Sequence, residues 1–148
     1  MTKSKAVVLD IDGVILNSTV IFEEISNLKL KGDKMWNYFH EHCNSSRVTL
    51  IQSTSSFIKE LDPSVEVILS TARNEKCRES TEEKLKRENF TYKALYMRDS
   101  KDFRPSPEVK KEHIQEIRQK FDIIAFIDDD LSNCLMAEEE GILALRKV

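Results

Sequence analysis

Five short apolar runs constrain the fold of this chain more than any other feature: residues 5–9, 65–69, 92–97, 123–127 and 142–145. Each is too brief for a helix, and the first is apolar on both faces, as a strand buried in a parallel sheet must be. Between them lie segments of helical periodicity over 75–89, 107–121 and 131–140, the last followed by Gly141, a residue suited to ending a helix. Strand alternating with helix predicts an α/β fold, a parallel sheet with helices on both faces. The interval 14–62 breaks this rhythm: it holds no convincing strand but carries amphipathic patterns around 20–30, 34–42 and 48–61. It is read as a small helical cap or insertion after the first strand, at about 18–62. The nearest thing to a break is Pro105-Ser106-Pro107, which predicts a helix start with Ser106 as N-cap and Pro107 at N1. A chain of 148 residues predicts one domain over 1–148 and therefore one site.

Composition narrows the class. With 40% apolar and 33% charged residues and few Gly or Pro, the chain reads as globular. No apolar run approaches the roughly 18–20 residues needed to span a bilayer, and the N-terminus lacks a cleavage-type ending, so a cytoplasmic address without membrane contact is expected. Cys43, Cys77 and Cys134 are far apart with no Cys-x-x-Cys spacing, which predicts reduced thiols rather than disulfides or a zinc site. The net charge of −3 gives no general pull toward nucleic acid, yet residues 73–111 hold twelve Lys/Arg against eight Asp/Glu. An anionic partner is expected to meet that segment.

In parallel α/β sheets ligands bind at the carboxyl ends of the strands, so the residues ending each apolar run matter most. Those residues are Asp10 and Asp12 after the first run, Ser70 and Thr71 after the second, and Asp128, Asp129 and Asp130 after the fourth. Lys110 or Lys111 lies in the first turns of the preceding helix. In a near-extended backbone Asp10 and Asp12 face the same way while Ile11 points into the core. Such a pair divides labour: one carboxylate attacks phosphorus, and the other protonates the leaving oxygen and later activates water. Gly13 lets the backbone turn sharply afterward. Carboxylates alone would repel a phosphate, so a divalent cation is required. Magnesium suits hard oxygen ligands, and Asp128 and Asp129 are placed to complete its shell. Ser70 or Thr71 would hydrogen-bond a phosphate oxygen, and the lysine would neutralise the phosphoryl group in its transition state. A calcium loop is a poor alternative for Asp10–Gly13, because the following Val14-Ile15-Leu16 is apolar. Asp130 reads as a helix cap.

These four motifs, in this order, resemble the haloacid dehalogenase superfamily, and the resemblance covers nearly the whole chain. It implies a Rossmann-like sheet, Asp10 as nucleophile, Asp12 as acid/base, Thr71 as the second-motif hydroxyl and Lys110 as the third-motif lysine. Asp10, Asp12, Asp128 and Asp129 would form the magnesium site. A narrower resemblance, to the 3′-phosphatase domain of phage-type polynucleotide kinase/phosphatases, rests on Ser70-Thr71-Ala72-Arg73, on Leu95-Tyr96-Met97-Arg98 and on Asp102-Phe103-Arg104-Pro105. It implies that Ser70, Arg73, Arg98 and Arg104 bind the substrate's phosphate or its polynucleotide flank. No Gly-x-x-x-x-Gly-Lys-Ser/Thr occurs, so a kinase is not expected. The expected activity is a magnesium-dependent phosphomonoesterase acting on nucleotides or polynucleotide 3′ ends, with small metabolites or phosphoproteins as the alternative substrates. A non-catalytic module is disfavoured, because a scaffold has no need for a buried carboxylate cluster. Trp36, Tyr38 and Phe39 are read as core residues of an amphipathic helix before they are read as base-stacking ones.

Overall fold

A computed structural model describes residues 2–148. Strand β1 (Ser4–Leu9) lies at the centre of a five-stranded sheet of order β5-β4-β1-β6-β7, in which β4 is Glu66–Asn74, β5 Ala94–Arg98, β6 Phe121–Asp128 and β7 Ala144–Arg146. Every pairing in it is parallel. Strand parity explains the two-sided core. Val7 and Leu9 pack with residues of α1 (Thr19–Asn27), α2 (Gly32–His42) and α4 (Arg78–Arg87), whereas Ala6 and Val8 pack with α5 (Ser106–Lys120) and α6 (Leu131–Glu139). The Rossmann-like α/β sheet expected from the sequence is the fold observed. Among the described residues no helix is long and apolar enough to cross a membrane.

The chain order places β4 on one side of β1 and β6 on the other, so the carboxyl ends of these strands meet where the topology reverses. Between β1 and β4 lie α1, α2 and α3 (Gln52–Lys59), together with two strands of two residues each, β2 (Leu16–Asn17) and β3 (Thr49–Leu50). These strands pair antiparallel, so the interval read as strandless does hold a short ribbon. Strands of two residues are too short to carry a periodicity in the sequence.

The helix predicted over 75–89 opens as a 3₁₀ turn, Glu75–Cys77, before α4 begins. Ser106 is the first helical residue of α5 and Pro105 the flanking one, with no side-chain cap, so Ser106 is not the N-cap and Pro107 sits one position further in. The missing N–H of Pro107 costs nothing there, because first-turn donors have no intrahelical acceptor. Asp130 does cap α6, accepting from the Ser132 N–H at 2.7 Å, and Gly141 follows its end with φ +77°.

Candidate active site

The backbone after β1 does not stay extended. The Asp10 N–H still donates to the Ile127 carbonyl, but the chain then wraps around the Ile11 carbonyl, which accepts from Val14, Ile15 and Leu16. Asp10 and Asp12 nonetheless open into one cavity of about 640 Å³. Asp10 Oδ1 accepts from the Ile11 N–H at 2.8 Å and lies 2.9 Å from Lys110 Nζ, while among the described residues no hydrogen bond engages Oδ2. Burial pushes the Asp10 carboxyl well above its ordinary range and the Asp128 and Asp12 charges add to this, with Lys110 pulling the other way.

Lys110 is the buried lysine of α5 and Lys111 an exposed one, as one residue along a helix turns the side chain by about 100°. Lys110 Nζ also donates to Asp128 Oδ2 at 2.6 Å. Burial alone would lower its pKa, but Asp10 and Asp128 outweigh that and raise it, so it is a fixed positive charge. Asp128, fully buried, also accepts from Asn133 Nδ2 at 3.1 Å and from the Asp130 N–H. Asp10, Asp128 and Asp129 each offer an oxygen within 4.8 Å of the others. Asp129 is exposed, yet desolvation of its carboxyl, followed by the Asp128 charge, raises its pKa.

The Asp12 carboxylate lies outside that trio. Its Oδ1 accepts from Ser18 Oγ at 2.5 Å and Arg73 Nη2 at 2.7 Å, and its Oδ2 from Arg73 Nε at 2.9 Å. Burial raises Asp12, but the Arg73 charge and hydrogen bonds prevail and its pKa is lowered.

Thr71 and Ser70 separate by strand parity. Thr71 lines the cavity and accepts the Arg73 N–H at 3.1 Å, leaving its hydroxyl proton free for a ligand oxygen. Ser70 is fully buried on the other face and bonds His113 Nδ1 at 2.8 Å, so it is not a substrate contact. The pairing of β4 with β5 is interrupted between Ser70 and Asn74, which turns residues 71–73 toward the site.

The remaining predicted substrate arginines lie elsewhere than expected. Arg98 donates to the carbonyls of Ala72, Asp102 and Arg104, and Arg104 pairs with Asp102 and Glu112. Both line a neighbouring cavity of about 770 Å³ and neither reaches the carboxylates. They hold the β5–α5 loop, whose carbonyls and acids absorb their charge. Arg73 lines the first cavity, yet its N–H groups are engaged by protein atoms.

Ser18, Asn133 and Arg146 belong to the site and were not predicted. Asn133 lies one helical turn beyond Asp128–Asp130, a position readable from the helix start. Ser18 and Arg146 reach the cavity through tertiary packing and carry no local signal.

The family profile of the HAD superfamily, subfamily IIIB (acid phosphatase), matches residues 1–146. Two solved chains, from the "Pnkp1/Rnl/Hen1 complex" and the "Pnkp1/Rnl/Hen1 RNA repair complex", superpose with TM-scores of 0.77 and identities of 23% and 25%. The matches cover 99% and 97% of this chain but 46% and 42% of those, so the chain spans less than half of their length. The tungstate-bound class C acid phosphatase from Bacillus anthracis matches at TM-score 0.66 and 15% identity, over 99% of this chain and 68% of that one. No curated protein matches.

Proposed function

The chain belongs to the HAD superfamily, subfamily IIIB (acid phosphatase), and on that premise we propose that it is a magnesium-dependent phosphomonoesterase acting on polynucleotide 3′-phosphate ends or nucleotides through an aspartyl-phosphate. The observation that carries this reading is the buried lysine touching both Asp10 and Asp128 while Asp10 Oδ2 stays free.

The residues present fit a magnesium ion. Asp10, Asp12, Asp128 and Asp129 bring four negative charges against the three positive charges of Lys110, Arg73 and Arg146, an acidic excess that a divalent cation offsets. The buried Asn133 Oδ1 beside Asp128 has no hydrogen-bond partner among the described residues and adds a neutral acceptor. Asp10, Asp128 and Asp129 would hold the ion, which when bound would neutralise the carboxylates and polarise a phosphoryl oxygen.

Asp10 Oδ2 attacks phosphorus as the bond to the leaving oxygen breaks. Lys110 and the Ile11 N–H keep Oδ1 in place, and the Thr71 hydroxyl donates to a phosphoryl oxygen. Asp12 transfers a proton to the leaving oxygen, then as carboxylate takes one from water. That water attacks phosphorus, releases phosphate and frees Asp10. Arg73 holds Asp12 ionised at rest, and an arriving phosphate dianion favours its protonated form.

Segment 18–62 serves as a small cap, supplying Ser18, Phe22, Trp36, Phe39 and His40 to the cavity wall. The second cavity shares Trp36, His40, Ala72 and Ser106 with the first, and its exposed Trp36 and Phe103 rings suit a nucleobase next to the phosphate. Purified protein should hydrolyse p-nitrophenyl phosphate with magnesium and lose that activity with EDTA. A 3′-phosphorylated oligonucleotide should be a better substrate than the matching mononucleotide or a sugar phosphate. Activity that survives EDTA contradicts the metal requirement, and a preference for sugar phosphates contradicts the substrate class.

A further inference from the structure

Arg73 is the centre of a cluster that the reaction above uses only indirectly. Its guanidinium carries five N–H donors, and five protein acceptors surround them: Asp12 Oδ2 on Nε, Asn44 Oδ1 and Thr81 Oγ1 on Nη1, and Asp12 Oδ1 and the Cys43 carbonyl on Nη2. The side chain is 2% exposed and the Phe39 ring lies 5.8 Å from its central carbon. No donor remains for a substrate phosphate, so Arg73 serves Asp12.

The contacts opposite Asp12 come largely from the insertion. The shortest is the Asn44 side-chain carbonyl, which accepts from Nη1 at 2.6 Å, whereas Thr81 and the Cys43 carbonyl lie at 3.2 and 3.3 Å. Asn44 cannot turn its oxygen away without loss, because its Nδ2 donates to Ser80 Oγ at 3.0 Å and Thr81 Oγ1 at 3.3 Å on α4. Its amide is thus fixed at both ends. A planar fork gripping a carboxylate at two points transmits its own tilt to that carboxylate.

We infer that Asn44, just beyond α2 in the insertion, is a positioning residue for phosphoryl transfer: by fixing the Arg73 guanidinium it holds the Asp12 carboxyl against the leaving-group oxygen. The inference rests on the assignment of Asp12 as acid/base. It gives the insertion a task besides covering the substrate, since an element outside the central sheet completes the acid's geometry. A structural role for Asn44, merely tying the insertion to α4, predicts something different. Lost anchoring would disturb every substrate alike, while misplaced Asp12 harms only leaving groups that need a proton.

The discriminating experiment compares kcat/KM for benzyl phosphate, whose alkoxide must be protonated, with that for p-nitrophenyl phosphate, whose phenolate leaves unaided. This ratio reports the steps through phosphoryl transfer and is blind to later hydrolysis of the intermediate. Asn44→Leu removes the acceptor at similar size, and Asn44→Asp retains an acceptor for Arg73. In Asn44→Leu, benzyl phosphate should lose about tenfold or more relative to p-nitrophenyl phosphate, within the range of general acid catalysis, and Asn44→Asp should restore most of it. Equal losses on both esters, no loss on either, or failure of Asn44→Asp to rescue overturns the inference. Asn44→Ala gives the same reading should the leucine variant not fold. The Arg73 Nε–H resonance in ¹⁵N spectra tests the link without activity: it should move in the leucine and alanine variants and return in the aspartate one, and an unmoved resonance refutes the link. A wild type inactive on both esters refutes the phosphatase reading, while the resonance still decides the role of Asn44.

Discussion

Gly13 joins the first motif to the fourth at atomic contact. Its φ is +84°, and a Cβ built there would fall 2.2 Å from Asp129 Oδ2, closer than any real contact allows. Any side chain must therefore adopt a disfavoured backbone and also push the Asp129 carboxylate out of its group with Asp10 and Asp128. Gly13→Ala should raise the magnesium concentration for half-maximal activity about tenfold or more, as displaced metal-site groups do, measured by titrating metal into the assay. An unchanged magnesium dependence would show that Asp129 holds no part of the ion. At this scale the sequence is informative where the backbone dictates the answer. Asp10, Asp128 and Asp129 converge because each lies at or just beyond the carboxyl end of a strand of one parallel sheet, and strand parity separates Thr71 from Ser70. The Arg73–Asn44 contact spans 29 positions, and nothing local encodes it.

Helix α5 carries Lys110 into the site, and a second buried residue one turn later holds the helix against the sheet. His113 Nε2 faces the Met97 carbonyl at 3.0 Å, which fixes the proton there, so Nδ1 accepts from the Ser70 hydroxyl. The ring thereby links α5 to β4 and β5. Burial lowers the His113 pKa to about 4, the Met97 hydrogen bond opposing only in part. The ordinary value near 6.5 lies above this, so stability is complete above about pH 6.5. It declines as pH falls toward 4, because the unfolded chain takes up a proton that the folded one refuses. The loss is about 3 kcal/mol at the acid end of that window. His113→Gln should be less stable than wild type near pH 7.5 in urea unfolding, with the gap narrowing toward pH 4.5. A gap constant with pH would show that the ring is not held neutral. This brace was hidden in the sequence by its own neighbours: Ser70 reads as site chemistry beside Thr71, and a histidine in a charged helix reads as solvated.

For the whole molecule, the alternation of strand and helix fixed the architecture, since a parallel sheet with short connections has few solutions. The insertion was legible as helical and as a small cap, but Ser18 and Asn44 were not legible as its contacts to the site, because these form only after the chain folds back over β1. The charge excess of residues 73–111 also changes meaning once folded. Arg78 pairs with Glu75 and Glu82, Lys84 with Glu88, and Arg104 with Asp102 and Glu112, so part of that charge ties the scaffold together. The proposed reaction requires a free Asp10 oxygen to reach phosphorus. The decisive measurement is acid quench of the enzyme during turnover with magnesium and p-nitrophenyl phosphate, followed by mass spectrometric mapping. A phosphoryl group should be found on Asp10 in the wild type, with no adduct and no turnover in Asp10→Asn. An active Asp10→Asn enzyme, or a phosphoryl group trapped on any other residue, would contradict it.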